Sequence, residues 1–147
     1  MELTQLPIEV EEIKKIIPHR YPFLLVDRVV SLDVGKFISA LKCISISDPI
    51  LQGHFPGNAI FPGVMVIEGM AQASAILGCY SVPKQGSNDV LLTEISRARF
   101  RKPVKPGDVL EYKVKVVKTK GQFFWFSGEA YVDNILVASA SMSAYMS

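Results

Sequence analysis

Residues 64–80 form a stretch that is apolar on every face of a helix and carries a single charge, Glu68. Its small residues, Gly69, Ala71, Ala73, Ser74, Ala75 and Gly78, let neighbouring elements pack close. A helix that is apolar all round must be covered all round, so the rest of the chain has to wrap this segment. The sequence argues against a membrane span. Pro62 and Gly63 interrupt the wider apolar stretch at residues 60–82. The uncharged run from Gly69 to Pro83 is shorter than the roughly 20 residues a span needs.

The wrapping elements read as strands. Residues 7–17 predict a short amphipathic helix with Val10, Ile13 and Ile17 on one face, stopped by Pro18. Residues 23–32 and 36–47 predict two strands joined through Gly35. Ser47-Asp48-Pro49 then opens an irregular stretch with room for one helical turn. Gly53 to Gly63 is a Gly/Pro-rich structured loop. Beyond Asp89, residues 90–101, 109–120, 122–132 and 135–145 read as strands. Lys120-Gly121 and Asp133-Asn134 mark tight turns between the last three. The lysine alternation at 113, 115 and 118 slips by one position. With no repeat, low-complexity tract or linker, residues 1–147 read as one domain of α+β class, four or more antiparallel strands around one buried helix.

Composition adds a constraint. Hydrophobic residues make up 49% of the chain, more than one small core requires, which points to a core-like subunit interface. The N-terminus has no basic and apolar signal segment, so a cytoplasmic protein is expected, with Cys43 and Cys79 reduced and buried. Two His and two Cys give no metal-ligand spacing, so no metal and no cofactor are expected. The net charge of +2 does not imply nucleic acid.

One constellation can carry chemistry. His54 lies in Gly53-His54-Phe55-Pro56-Gly57-Asn58, and Phe61-Pro62-Gly63 opens the apolar helix. The first amides of a helix are unpaired and electropositive, and Gly63 has no side chain to keep a ligand oxygen away from its N–H. Glu68 is the only charged residue between Gly53 and Pro83. Gln72, four positions on, shares its helix face and can hydrogen-bond it. A carboxyl held in an apolar site has a raised pKa and can act as an acid. Taken singly, each has a bland reading: His54 bonds backbone, Glu68 caps or lines an interface, and every helix has an open end. Together they supply a base, an acid and an oxyanion site, the three parts needed to eliminate water from a 3-hydroxyacyl thioester. A thioester hydrolase could use the same carboxylate to activate water, and a non-catalytic acyl-binding module would not need the pair.

Four motifs occur in order: Pro18-His19-Arg20-Tyr21-Pro22-Phe23-Leu24-Leu25-Val26-Asp27-Arg28, Gly53-His54-Phe55-Pro56-Gly57-Asn58, the run from Phe61 to Gln72, and the run from Phe100 to Asp108. Across most of its length the chain resembles the β-hydroxyacyl-acyl carrier protein dehydratases of type II fatty acid synthesis. That resemblance implies a hot-dog fold, a long helix wrapped by a curved antiparallel sheet. It implies that His54 is the catalytic histidine and Glu68 the catalytic acid, from different subunits of a dimer. The amides of Gly63 and Val64 would polarise the thioester carbonyl, and three dimers would form a hexamer. The related dehydratase-isomerases usually carry Asp where this chain has Glu68, which favours plain dehydration. Gly69 departs from the family, which often has Ala there, and should soften the helix slightly.

Two further features complete the reading. His19, at a helix end, is expected to anchor the turn into the first strand. Five basic residues and no acid lie between Arg97 and Lys105. In a strand, Arg97, Arg99 and Arg101 share one face. Given the family, these arginines with Lys102 form a docking ridge for an acidic acyl carrier protein; the bland alternative is a solvated sheet face.

Overall fold

The computed structural model of the protein describes residues 5–82 and 89–147. A short strand β1 (Ile8–Glu9) leads into α1 (Val10–Ile16), then β2 (Arg28–Asp33) and β3 (Phe37–Cys43). A 3-10 turn (Pro49–Gln52) and the His54 loop precede α2 (Gly63–Ser81). Four long strands follow: β4 (Val90–Phe100), β5 (Val109–Lys120), β6 (Phe123–Val132) and β7 (Ile135–Met146). All pair antiparallel in one sheet of order β1-β2-β3-β5-β6-β7-β4. The sheet packs along α2 from β3 through β4, which is the hot-dog arrangement.

The apolar helix is covered as its sequence demands, with one exception. Met70, Ala73, Ile76 and Leu77 are fully buried against the sheet. Although α2 is long and apolar enough to cross a bilayer, 72% of its most apolar window is buried inside the protein. The exception is a stripe at i, i+4 and i+7: Val64 is 71% exposed, and Glu68 and Ala71 are only partly covered. Beside it, β4 forms the far edge of the sheet, and nearly every residue along it is exposed, Leu91, Leu92, Ile95 and Phe100 included.

Turn chemistry behaves as the sequence indicates. Asp133 and Asn134 both take positive φ, 50° and 64°, the two-residue hairpin geometry that matches strand twist. The slip in the lysine alternation is a bulge between Val116 and Lys118.

Three expectations need correction. The strand expected from residue 23, β2, begins at Arg28, because the backbone of residues 23–25 is bonded elsewhere. The Phe23 carbonyl accepts from Gln72 Nε2 (2.7 Å), the Leu25 amide donates to Gln72 Oε1 (2.8 Å), and the Leu25 carbonyl accepts from Tyr112 Oη (3.1 Å). This segment lies over the helix instead of joining the ladder. Cys43 is exposed, since it is the outward-facing last residue of β3. Cys79 is buried as expected, and burial pushes its thiol up to about 11.

Gly69 is the third. It does not merely soften α2, because it makes room for Tyr112. A Cβ there would lie 2.0 Å from Tyr112 Oη and 2.3 Å from Cζ of a ring that is fully buried. Gly69→Ala should therefore lose about 1–3 kcal/mol by overpacking, outweighing the ~1 kcal/mol gained in helix propensity. Denaturant melts check this: the alanine should cost much less in a Tyr112→Leu background, because the two sites are coupled. A stabilising Gly69→Ala in the parent would contradict the packing.

Candidate active site

The loop before α2 fixes His54 from several sides. Its backbone carbonyl accepts from the Ile60 amide (2.8 Å), and Phe55 and Asn58 exchange backbone hydrogen bonds of 3.0 and 2.9 Å. The His54–Phe55 peptide is cis. The Phe55 ring stacks on the imidazole with centroids 4.0 Å apart. Nδ1 of His54 lies 2.8 Å from the Ile60 carbonyl oxygen. A carbonyl can only accept, so Nδ1 carries the hydrogen and Nε2 presents a lone pair. His54 is thereby held as the tautomer able to take a proton.

The N-terminus of α2 is open beside this loop. Pro62 is the N-cap and supplies no side-chain cap. Its carbonyl takes the Met65 and Val66 amides at 3.0 and 3.2 Å, while the amides of Gly63 and Val64 have no acceptor among the described residues. The Phe100 ring lies so close over Gly63 that a Cβ there would be 2.6 Å from it. Glycine at this position therefore lets the helix end and β4 approach. A cavity of about 430 Å³ opens here, lined by Gly63, Val64, Phe100, Lys102, Val104 and Ala138 among others.

Glu68 sits on the uncovered stripe. Gln72, almost fully buried, donates to its Oε2 at 3.1 Å. Because Gln72 also bridges Phe23 and Leu25, it ties the carboxylate to the segment that crosses the helix. The side chain of Glu68 remains 27% exposed within one chain, so the apolar site expected around its carboxyl is only partly closed. The physical reason is the missing cover on that helix face. Glu68 lines a second cavity with His19, Gln72 and Ser74, and no hydrogen bond or ion pair joins it to His54.

The structure places His19 differently from the turn-anchoring task expected of it. The turn after α1 is anchored not by its imidazole but by Arg20, which donates to the carbonyls of Lys14, Ile17 and His19 at 2.9, 3.0 and 2.7 Å. The imidazole instead faces Glu68, with Nε2 3.9 Å from Oε2. The sequence signal was present in the Pro18-His19-Arg20 motif, but the spacing of 49 positions to Glu68 hid the contact.

The basic residues fall on two surfaces, with Arg101 on both. A bulge between Ser96 and Arg99, with Arg97 at φ 54°, still leaves Arg97, Arg99 and Arg101 along one shallow outer groove with Ser139 and Ser141. Glu129 from β6 joins that groove, an acid that the linear sequence did not place there. Lys102 lines the cavity at the α2 N-terminus.

Residues 17–141 match the FabA-like domain family. The chain is 51% identical to a 3-hydroxyacyl-acyl-carrier-protein dehydratase FabZ from a Nitratiruptor species, covering 93% of this chain and 96% of that protein. It is 52% identical to the FabZ of Campylobacter fetus subsp. fetus, again over 93% and 96%. Among solved structures, the dehydratase heterocomplex ApeI:P from Xenorhabdus doucetiae superposes with a TM-score of 0.78 at 20% identity, over 98% of this chain and 93% of that one, a likeness of fold.

Proposed function

This chain belongs to the FabA-like domain family, and from that premise we propose how its residues carry out the reaction. It is a dehydratase of 3-hydroxyacyl chains borne on acyl carrier protein, in fatty acid synthesis. Nε2 of His54 takes the α-proton. Negative charge develops on the thioester oxygen, which the Gly63 and Val64 amides hold at the positive end of α2. The Glu68 carboxyl gives a proton to the 3-hydroxyl as the C–O bond breaks, and water leaves. One proton is taken and one given, so the products are water and the 2-enoyl thioester. The observation that carries the assignment of His54 is its Nδ1 bond to Ile60, which leaves only Nε2 free to act as base.

The acid in this reading comes from a second copy. No hydrogen bond or ion pair joins His54 and Glu68 within one chain, and the face bearing Glu68 lies beside the exposed edge strand β4, with Leu91, Leu92, Ile95 and Phe100 uncovered. An edge of that length is a template for pairing with another strand. Two copies joined along β4 would cover the stripe of Val64, Glu68 and Ala71. Assembly of three such dimers, cytoplasmic residence and action of residues 1–147 as one domain complete the proposal. The groove of Arg97, Arg99 and Arg101, with Lys102 at the cavity mouth, then receives the acidic carrier protein.

Incubation with a 3-hydroxyacyl carrier protein should produce the conjugated enoyl thioester, followed by its absorbance. Free thiol instead would mean hydrolysis, and no conversion would leave only acyl binding. Reversing two of the arginines to Glu should raise KM for the carrier-bound substrate far more than for a small thioester analogue. The effect should act mainly through association and shrink with salt, since the Debye length is about 8 Å at physiological ionic strength. Equal loss on both substrates would mean that the arginines support the sheet.

A further inference from the structure

We propose that His19 is a positioning residue for Glu68, an inference that rests on the acid role given to Glu68 above. Both polar contacts of the Glu68 carboxylate fall on Oε2: Gln72 Nε2 at 3.1 Å from within α2, and His19 Nε2 at 3.9 Å from the turn after α1. Oε1 is left without a partner among the described residues, free for the reacting hydroxyl. The neutral tautomer of His19 follows from its other nitrogen. Nδ1 is buried with no hydrogen-bond partner, unlike any other described side-chain nitrogen or oxygen. A buried N–H left unpaired is rarer than a buried acceptor left unpaired, so Nδ1 is the bare nitrogen and Nε2 carries the hydrogen. That places an N–H dipole beside Oε2. The distance exceeds a hydrogen bond, so its effect is electrostatic and steric: it favours the rotamer that keeps Oε2 inward and Oε1 towards the cavity.

The backbone around His19 suits that task. Arg20 clamps the His19 carbonyl at 2.7 Å together with the end of α1, and the imidazole lies nearly parallel to the Phe23 ring, 13° between planes. The Phe23 carbonyl in turn holds Gln72. The turn thus reaches that carboxylate oxygen through His19, while the crossing segment acts on it only by holding Gln72. Neither contact involves His54, and both come from the same chain as Glu68.

This chain assignment gives a test that a merely structural role would not pass. Misplacing a reacting group by an ångström can cost about 10²-fold. His19→Leu should accordingly lower kcat by roughly 10- to 100-fold and change KM for the small thioester by less than about threefold. Mixed by subunit exchange with His54→Ala, it should regain activity, because one site then carries an intact His54 with an intact His19 and Glu68. Mixed with Glu68→Gln it should regain none, because every site then has a lesion on the acid side. Regain with Glu68→Gln, an unchanged kcat, or a loss confined to KM would each overturn the proposal. The control mixture of His54→Ala with Glu68→Gln separates the two readings: its failure would remove the shared site, whereas the kcat of His19→Leu judges His19 alone. Should His19→Leu not fold, His19→Gln, which can still bring an N–H to Oε2, should keep kcat near wild type and the shorter His19→Asn should not. Equal kcat in those two variants would also overturn it.

Discussion

Replacing Glu68 with Gln, or His54 with Ala, is expected to lower turnover by roughly 10² or more in a protein that still folds, the range for losing one general acid or base. The substitutions are chosen so that structure survives. A glutamine at position 68 keeps the shape of the side chain and an oxygen for Gln72 Nε2, but has no proton to give. An alanine at 54 loses the Nδ1 bond to Ile60, yet the backbone bonds from Ile60 to His54 and between Phe55 and Asn58 still close the loop. The loss should therefore appear in kcat and kcat/KM together, as it does when a contact made only in the transition state is removed. In the proposed step the two groups act together, so the double variant should be far less impaired than the product of the single losses. Single-turnover rates with a 3-hydroxyacyl thioester, alongside a melting curve, check this. A folded variant with near wild-type turnover would remove that residue from the reaction.

Much of the fold was legible because local chemistry dictates it. An apolar helix with one charge demands wrapping, and the structure puts Met70, Ala73, Ile76 and Leu77 at zero exposure. Asp133-Asn134 reads directly as a hairpin turn, and the lysine alternation shows a slip that the structure resolves as a bulge, since period and turn residues are local signals. Long-range contacts were not legible. The strand expected from residue 23 begins five positions later, because Gln72 and Tyr112, far along the chain, take over the backbone of residues 23–25. Gly69 looked like a small weakness in the helix, and only the Tyr112 ring shows why the position has no side chain.

The site divides along the same line. His54, Gly63 and Gln72 are readable as types at meaningful spacings, and the bonds from His54 to Ile60 and from Gln72 to Glu68 span only six and four positions. The incomplete burial of Glu68 was not readable, because it depends on a face that one chain leaves open. The sequence points His19 to the turn, a task that Arg20 performs, because nothing in the sequence brings positions 19 and 68 together. Likewise the basic run gave no hint of Glu129, which reaches the arginine groove from a neighbouring strand.

The central claim is that base and acid come from two copies of this chain, and mixing tests it most directly. His54→Ala and Glu68→Gln protein, each nearly inactive alone, are combined under conditions where labelled subunits are shown to exchange. Within a mixed dimer one site holds both lesions and the other holds neither. With random exchange of equal amounts, half of the dimers are mixed, each with one intact site. The account predicts that activity rises from background to about a quarter of wild type per subunit, as expected when a removed group's loss of ~10² is fully relieved at one site in four. Proven exchange with activity still at background would contradict it, and would place His54 and Glu68 in a site formed by a single chain.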